Sequence, residues 1–307
     1  MRNSPRRRGG PTEFAVWGCR GSRSLLPPRS AIGNHTSCYS LRHGRDLIVL
    51  DAGRGLAALA SAMGVGGGRG RVRRVLVLVG HAHLDHWEGL KDAEWFWRKG
   101  NRLEVRILGP AEAIRVIRGA FRHPSYVSLE LLSVGTARHV GWGVIAPGRT
   151  RTLDGWRIRA TPLRHYSGDE RRRFWLEALG FQVMAPDGAT VAYISDHEPT
   201  RQTRRGERAL LESAHLAVYD THFPDLRHHK HGHGSQEHAA AMARAHPGVL
   251  VLAGHHGPTL SDAQILAAYR RHRRGAPNFA LAVEGATYRW DGRAFHPRSA
   301  VRRGARR

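Results

Sequence analysis

A run of valines and leucines that ends in histidines constrains this chain more than any other feature. Residues 72–90 read VRRVLVLVGHAHLDHWEGL, so a strand-length apolar segment is followed at once by His81, His83, Asp85 and His86. Side chains alternate along an extended segment, and His81 and His83 are therefore expected to point to the same side. Two imidazoles side by side are suited to a transition metal.

The chain turns toward a predicted helix just after these two histidines. Asp85 and His86 lie at that turn and project at a different angle, which places them to ligate a second ion nearby. Histidine combined with carboxylate favours zinc, manganese or iron over calcium. Even with 21 histidines in 307 residues, the HxHxDH pattern would be expected by chance only about 0.004 times. Histidine-rich composition therefore does not explain the motif.

Further strand ends also carry histidine or aspartate. RATPLRHYSG places His165 after an apolar segment, VAYISDHEP places Asp196, and VLVLAGHHGP places His255 and His256. A single histidine at a strand end is more often an ordinary surface residue, but the shared position raises the odds that these residues form one site.

Two other aspartates end strands, and their role is left open. Asp51 and Asp220, in VLDAG and VYDTH, either orient ligand histidines or cap the following turn, and neither is predicted as a ligand. The neighbouring HHKHGHG at 228–234 is interpreted as a polar loop bordering the site rather than as a metal site.

The apolar pattern predicts strands and helices in two similar halves. Early strands follow one another through short turns, and later ones alternate with helices. This indicates an α+β (αββα) chain in which two mixed β-sheets pack as a sandwich with helices on the outer faces. No GxGxxG follows a strand and opens a helix, so a doubly wound nucleotide-binding sheet lacks its fingerprint. Strands are predicted at 13–17, 37–42, 46–50, 74–79, 103–108, 156–163, 180–184, 190–195, 215–219, 249–253 and 279–284; helices are predicted at 54–63, 87–98, 111–121, 207–213, 235–246 and 261–273.

Composition indicates one domain, residues 13–295, between two basic tails. Residues 1–12 and 296–307 are rich in arginine, proline and glycine without apolar periodicity, so we expect them to be flexible. Apolar runs stay far below the roughly 20 residues of a membrane span, and no secretory signal pattern is present. The two cysteines, Cys19 and Cys38, offer no disulfide framework and no cysteine-based zinc site. We expect a soluble, cytoplasmic protein.

The formal net charge of +24 allows two interpretations. It would favour phosphate-bearing partners by electrostatics. However, only three of the 49 basic residues are lysines, and the arginines are spread along the chain, as a compositional bias would also produce.

HAHLDH resembles the HxHxDH signature of the metallo-β-lactamase superfamily. The similarity extends to the branch that contains ribonuclease Z and the cyclic phosphodiesterases of phosphonate metabolism, and it covers about residues 13–290. The segments that carry it are WGCRGS at 17–22, HTSC at 35–38, LDAGRGL at 50–56, YISDHEP at 193–199, and HGS with QEHA at 233–239.

The resemblance implies the metallo-β-lactamase fold and two divalent metal ions, with zinc favoured and manganese or iron as alternatives. His255 is preferred over His256 because its distance along the chain from Glu237 matches the ligand position of the family. The implied ligands are His81, His83 and His165 for one metal, and Asp85, His86 and His255 for the other, with Asp196 bridging the two.

The resemblance also implies that His233 and Asp85 are catalytic, with His233 as the proton donor. Two departures bear on this assignment. The branch usually has GHS, whereas this chain places Gly234 between His233 and Ser235, and His35 stands where an asparagine is typical.

The leading hypothesis is a two-metal phosphodiesterase acting on RNA, DNA or a small cyclic phosphodiester through a metal-bridging hydroxide. Ribonuclease Z itself is less favoured. Many of its members insert a long tRNA-gripping arm between the third histidine and the bridging aspartate, whereas only 30 residues separate His165 from Asp196.

Two alternatives remain open. One is a thioester, lactone or lactam hydrolase of the same superfamily, and the other is a metal-stabilised nucleic-acid-binding protein without catalysis. Family members are often dimers, but no residue of this sequence demonstrates a homodimer interface.

Overall fold

The computed structural model describes residues 10–25, 30–65, 72–97, 103–129, 140–168, 171–227 and 232–298. Within these residues the strands form an 8-stranded sheet, a 7-stranded sheet and a 2-stranded hairpin. The two large sheets face each other and helices cover their outer faces, so the predicted sandwich is confirmed.

The first sheet joins the N-terminal strands to the last strands of the chain. Its strands are β1 (Glu13–Gly18), β2 (Cys38–His43), β3 (Asp46–Leu50), β4 (Arg74–Leu78), β5 (Glu104–Gly109), β6 (Gly141–Val144), β16 (Thr287–Trp290) and β17 (Phe295–Pro297). The spatial order is β17-β16-β1-β2-β3-β4-β5-β6. β3 to β6 run parallel, whereas β17, β16, β1 and β2 pair antiparallel.

The second sheet repeats this mixture of a meander and a parallel half. It contains β7 (Thr150–Leu153), β8 (Trp156–Leu163), β11 (Ala178–Met184), β12 (Thr190–Ile194), β13 (Leu216–Asp220), β14 (Leu250–Gly254) and β15 (Phe279–Leu281), in the order β15-β14-β13-β12-β11-β8-β7. β12 to β15 run parallel. β9 (Tyr166–Gly168) and β10 (Arg173–Trp175) form the separate hairpin.

In the described part of the chain, three helices pack on each outer face. α1 (Gly55–Val65), α2 (Glu94–Trp97) and α3 (Ala111–Ala120) cover the first sheet, and α4 (Arg204–Leu211), α5 (Gln236–Ala245) and α6 (Asp262–His272) cover the second. Ser235 caps α5 by accepting the N–H of His238, and Ser261 begins α6 with a capping box. These serines satisfy backbone donors that a helix start would otherwise leave unpaired.

Side-chain alternation explains the layers. Along β8, Trp156, Ile158 and Ala160 are buried between the sheets, whereas Arg157 and Arg159 lie on the other face. The strands β3, β12 and β13 are buried along their whole length because helices cover the face that the opposite sheet does not.

The helix predicted over 87–98 is wrong as a single element. A 3₁₀ turn covers Glu88–Asp92 and α2 begins only at Glu94, with Ala93 at φ −82° and ψ 54° between them. The indole N–H of Trp97 donates to the carbonyl oxygen of Leu90. That oxygen would otherwise accept a backbone N–H of a continuous helix, so the tryptophan replaces a helical hydrogen bond.

Several short strands were absent from the prediction, namely β6, β7, β9, β10, β16 and β17. The tail boundaries also differ. Thr12 is buried and its hydroxyl donates to Asp187, and β17 extends to Pro297, so ordered structure reaches into both predicted tails. Residues 1–9 and 299–307 lie outside the described residues, as do residues 228–231 of the polar loop at 228–234.

No helix among the described residues is both long and apolar enough to cross a membrane.

Candidate metal centre

Strand ends from both sheets converge on one edge of the sandwich. His81 and His83 follow β4 of the first sheet, whereas His165, Asp196 and His255 follow β8, β12 and β14 of the second. The carboxyl ends of parallel strands meet at the same edge of a sheet, which is where α/β folds build their sites. The structure therefore brings together residues that lie more than 170 positions apart in sequence.

A first group of ligand atoms contains His81, His83, His165 and Asp196, all within 4.8 Å of one another. Nε2 of His165 lies 3.1 Å from Nδ1 of His83 and 3.6 Å from Oδ2 of Asp196. Nε2 of His81 lies 3.7 Å from the same carboxylate oxygen. This group matches the first predicted metal site, with Oδ2 of Asp196 facing it.

A second group contains Asp85, His86 and His255, again within 4.8 Å of one another. Oδ1 of Asp196 lies 3.3 Å from Nε2 of His86 and 3.1 Å from Nδ1 of His255. Asp196 thus directs one oxygen to each group, as a bridging carboxylate would. The structure brings all the predicted ligands together, and their role as ligands stays a prediction.

Burial keeps most of these imidazoles neutral. Desolvation, with the neighbouring histidines, lowers the pKa of His81 well below its ordinary value, and burial likewise lowers the pKa values of His165 and His255. A neutral imidazole offers a lone pair to a cation.

Several buried polar atoms in both groups have no hydrogen-bond partner among the described residues. They are both ring nitrogens of His81, Nε2 of His86, Nε2 of His255 and Oδ1 of Asp196. A buried unsatisfied polar atom costs roughly 1–3 kcal/mol. Divalent cations would satisfy one ring nitrogen of each histidine and Oδ1 of Asp196, so the donor set fits the predicted metals.

His86 is the exception in charge. Burial opposes its protonation, but the carboxylates of Asp196, Asp85 and Asp51 outweigh burial and raise the pKa of His86 well above its ordinary value. In the metal-free protein this imidazolium offsets the negative charge of the cluster, a task that a bound cation would take over.

Asp51 holds His86 in place. This favours the orienting role over the turn-capping role for this aspartate. Its Oδ2 lies 2.5 Å from Nδ1 of His86 and accepts the hydroxyl of Tyr193 at 2.5 Å, while Oδ1 accepts the N–H of Gly80 at 2.6 Å. With Nδ1 held by Asp51, Nε2 of His86 faces Asp196. Asp51 has φ +55° and His255 has φ +50°, so both lie in the left-handed region.

His233 stands over both groups. Its ring stacks against His255 with centroids 5.3 Å apart, and its Nδ1 lies 3.0 Å from Oδ2 of Asp220 and 3.7 Å from Oδ2 of Asp196. Burial disfavours its charged form, but Asp220 and then Asp196 outweigh burial and raise the pKa of His233 to about 9. His233 is therefore protonated at neutral pH in the metal-free protein.

The glycine between His233 and Ser235 does not displace the histidine. A Cβ at Gly234 would lie 2.4 Å from the carbonyl oxygen of Asp220, so only glycine allows this close approach. Ser235 still caps α5, and the Gly234 N–H donates to Asp220. The departure from GHS is thus accommodated locally.

The sequence analysis missed two residues of the site. His222 stacks on His233 at 4.2 Å and belongs to a group with His233 and His255 within 4.8 Å. Ser167 Oγ lies 2.6 Å from Nε2 of His83. His222 shares the strand-end signal, two residues after Asp220, whereas an isolated serine carries no signal.

His256 and His35 lie outside the groups of ligand atoms found among the described residues. The Nδ1 of His256 is 3.4 Å from the hydroxyl of Thr221, and burial and then Arg20 lower its pKa to about 3. The geometry thus favours His255 over His256. The backbone N–H of His35 donates to the carboxylate of Glu284.

Residues 47–256 match the family model described as the beta-lactamase superfamily domain. The chain belongs to this superfamily. A ribonuclease Z of Mycobacterium bovis (strain BCG / Pasteur 1173P2) is 28% identical over 258 residues, which cover 80% of this chain and 86% of that protein. The predicted resemblance to the superfamily and its ribonuclease Z branch is confirmed.

Solved structures share the fold. The metallo-β-lactamase fold protein YhfI from Bacillus subtilis superposes with a TM-score of 0.65 at 15% identity, covering 91% of this chain and 99% of that one. A diphosphatase from the PhnP family superposes with a TM-score of 0.62 at 14% identity, covering 92% and 98%. Family and donor set together indicate a divalent-metal site.

We expect Asp51→Asn to weaken metal binding because His86 loses the carboxylate that orients it. Partners of this kind are typically worth about 10- to 100-fold in metal affinity. Competition with a chromophoric chelator measures the affinity. Asp46→Asn is the matched control. Asp46 is the first residue of β3, at the end opposite to Asp51; it is also buried, and it pairs with Arg74. Equal metal affinity in the two variants would refute the orienting role.

We expect Glu207→Gln to lower the free energy of unfolding, because Glu207 holds together buried residues of the second sheet and its helices. Glu207 of α4 is 1% exposed, and its carboxylate oxygens lie 3.2 Å from Nε2 of His197 and 2.6 Å from Nε2 of His238. Burial opposes ionisation, but these histidines outweigh it and hold the pKa of Glu207 well below its ordinary value. Breaking such a buried pair costs about 3 kcal/mol.

Because the pKa of Glu207 is lower in the folded state than in the unfolded state, the ionised side chain stabilises the fold at pH values above its unfolded pKa. This stabilisation is lost as the pH falls toward the folded pKa. The difference between Glu207→Gln and the wild type in urea denaturation should therefore be full at pH 7 and shrink at acidic pH. Glu212→Gln, an exposed change just after the same helix, is the control. A loss independent of pH would contradict the ionic role.

Proposed function

We propose that this chain is a two-metal hydrolase that cleaves phosphodiesters, with zinc as its metal. The observation that carries the proposal is Asp196, which directs one oxygen to each of two histidine-rich groups while His233 stands beside it. The 28% identity to a ribonuclease Z supports a phosphodiester bond as the target. Both a small diester and a nucleic acid fall within the proposal.

The proposed ligand set is the one that the resemblance implied. When bound, two divalent cations supply a nucleophile at neutral pH and neutralise charge that develops on the phosphodiester. The chain itself holds the donors in place from two sheets. Burial also lowers the pKa of most of the imidazoles, which keeps them neutral. The ligands are His81, His83 and His165 for one cation, Asp85, His86 and His255 for the other, and Asp196 for both.

His233 is the proposed proton donor to the leaving oxygen. Asp220 holds its Nδ1, which leaves Nε2 as the nitrogen directed to the substrate. Asp220, the neighbouring carboxylate that is not a proposed ligand, favours the charged form of His233. A charged ring carries the proton that the leaving alkoxide needs. Asp220 is itself anchored by the N–H groups of His197 and Gly234.

A reducing compartment such as the cytoplasm is part of the proposal. Cys19 and Cys38 are both free thiols in the buried core. Burial raises the pKa of each thiol well above its ordinary value, which keeps both unreactive.

We expect chelator-treated protein to lose hydrolysis of bis(p-nitrophenyl) phosphate and zinc to restore it. The diester should be cleaved faster than p-nitrophenyl phosphate, because the proposal assigns the site to diesters. A spectrophotometric assay with metal analysis of each sample measures both. No turnover at full metal occupancy would contradict the proposal and favour an acyl-bond hydrolase.

We expect His233→Ala to lose activity in a way that depends on the leaving group. General acid catalysis contributes about 10²–10⁴-fold, and a p-nitrophenolate leaves without a proton, whereas a nucleoside alkoxide does not. The kcat for a dinucleotide should therefore fall far more than the kcat for bis(p-nitrophenyl) phosphate, with metal content unchanged. An equal loss for both substrates would show that His233 acts otherwise.

A further inference from the structure

A groove borders the metal centre on the outer side of the second sheet. It has a volume of about 670 Å³ and lies between the end of β8, the hairpin residue Trp175 and the first turn of α4. His165, one of the proposed ligands, forms part of its wall. His165 therefore belongs both to the wall of the groove and to the candidate metal site.

Arginines from three different elements line this groove. Arg159 lies on the outer face of β8, Arg164 follows β8, and Arg205 lies in the first turn of α4. Arg164 pairs with Glu198, whereas Arg159 and Arg205 have no ion-pair partner among the residues that the structure describes. None of the described residues that line the groove is acidic. A concave surface of one sign attracts ligands of the opposite sign, in this case phosphates.

An aromatic side chain closes one end of the groove. Trp175 is 51% exposed, with the Arg164 guanidinium 4.2 Å from its ring centroid. Its ring also packs edge-on against Tyr166 at 5.2 Å, which holds the indole in place. Phe174, the preceding residue, is 51% exposed as well. Aromatic rings next to arginines are the surfaces on which nucleobases stack.

The hairpin β9–β10 couples the groove to the metal centre. Tyr166 follows the proposed ligand His165 and pairs with Trp175 across the hairpin, and Ser167 contacts the imidazole of His83. The hairpin thus carries the tryptophan, begins directly after one proposed ligand, His165, and contacts another, His83. A base stacked on Trp175 would hold its chain beside the two metal groups.

We infer that this groove binds single-stranded nucleic acid, so that the substrate of the metal centre is an oligonucleotide rather than a small cyclic diester. The inference rests on the proposed function and specifies its substrate class. An acidic peptide would satisfy the arginines but would gain nothing from the exposed indole. A polynucleotide uses both, since its phosphates meet Arg159 and Arg205 and its bases meet Trp175.

The test is binding of fluorescein-labelled 12-nucleotide single strands, RNA and DNA, to the zinc-loaded protein by fluorescence anisotropy. A gel of each sample afterwards verifies that the strand is intact. We expect Arg159→Gln and Arg205→Gln each to weaken binding several-fold. Each should also reduce the slope of log Kd against log salt concentration by about 0.7, the contribution of one phosphate contact on a single strand.

Trp175 is tested with a conservative pair. Trp175→Leu removes the π-surface but keeps apolar bulk against Tyr166, and it should weaken binding at least about five-fold. Trp175→Phe should retain most of the affinity. Arg270→Gln on α6 and Tyr126→Ala, both exposed and outside the groove, are the matched controls and should bind as the wild type does.

The outcomes separate the inference from the proposed function. Metal-dependent turnover by the wild type of bis(p-nitrophenyl) phosphate, which is too small a substrate to need the groove, tests the function alone. If turnover is present but the groove variants bind oligonucleotides as the wild type or the control Arg270→Gln does, the inference is wrong. Displacement of the oligonucleotide by an equal charge concentration of polyglutamate would likewise overturn it, by showing general polyanion binding.

Discussion

The site depends on a carboxylate that is buried between two sheets. Asp196 ends a strand of the second sheet and is 2% exposed, yet its oxygen lies 3.3 Å from His86 of the first sheet. A charge so far from water must be paired, and its partners come from segments far apart in sequence. The apolar layer between the sheets therefore sets the spacing of the two halves of the cluster. In this sense core residues such as Phe14 and Phe181 are part of the site geometry.

Most of the site could be predicted because its signal is local. Polar residues that directly follow apolar strands identify His81, His165, Asp196 and His255 without knowledge of their contacts. The supporting residues could not be found in this way. Tyr193 lies inside an apolar strand, where a tyrosine is indistinguishable from a core residue until its hydroxyl is seen on Asp51. The parts of the site that depend on tertiary contacts were thus invisible in the sequence.

The strands of the fold also divide into those that the sequence pattern predicts and those that it misses. Strands at the centre of each sheet are buried on both faces and read as continuous apolar runs, so their bounds were predicted to within a few residues. The missed strands lie at a sheet edge, next to one as β16 does, or in the hairpin. There the side chains are half-exposed and the apolar pattern fades. Such strands form because a neighbour offers backbone hydrogen bonds, as β8 does for β7. The hairpin that carries Trp175 is one of them, so the groove also escaped the sequence analysis.

Asp51 and His255 adopt a strained backbone conformation that the rest of the fold must stabilise. Both residues adopt positive φ angles, +55° and +50°, which glycine would take without strain. A glycine there would relax the chain by on the order of 1 kcal/mol, but it would also remove the carboxylate or the imidazole. At Asp51 this gain is smaller than the loss, because glycine would leave His86, Tyr193 and Gly80 without the carboxylate that they contact. Backbone geometry alone would therefore mark Asp51 as a position to stabilise, whereas its hydrogen bonds show that the same change would weaken the fold.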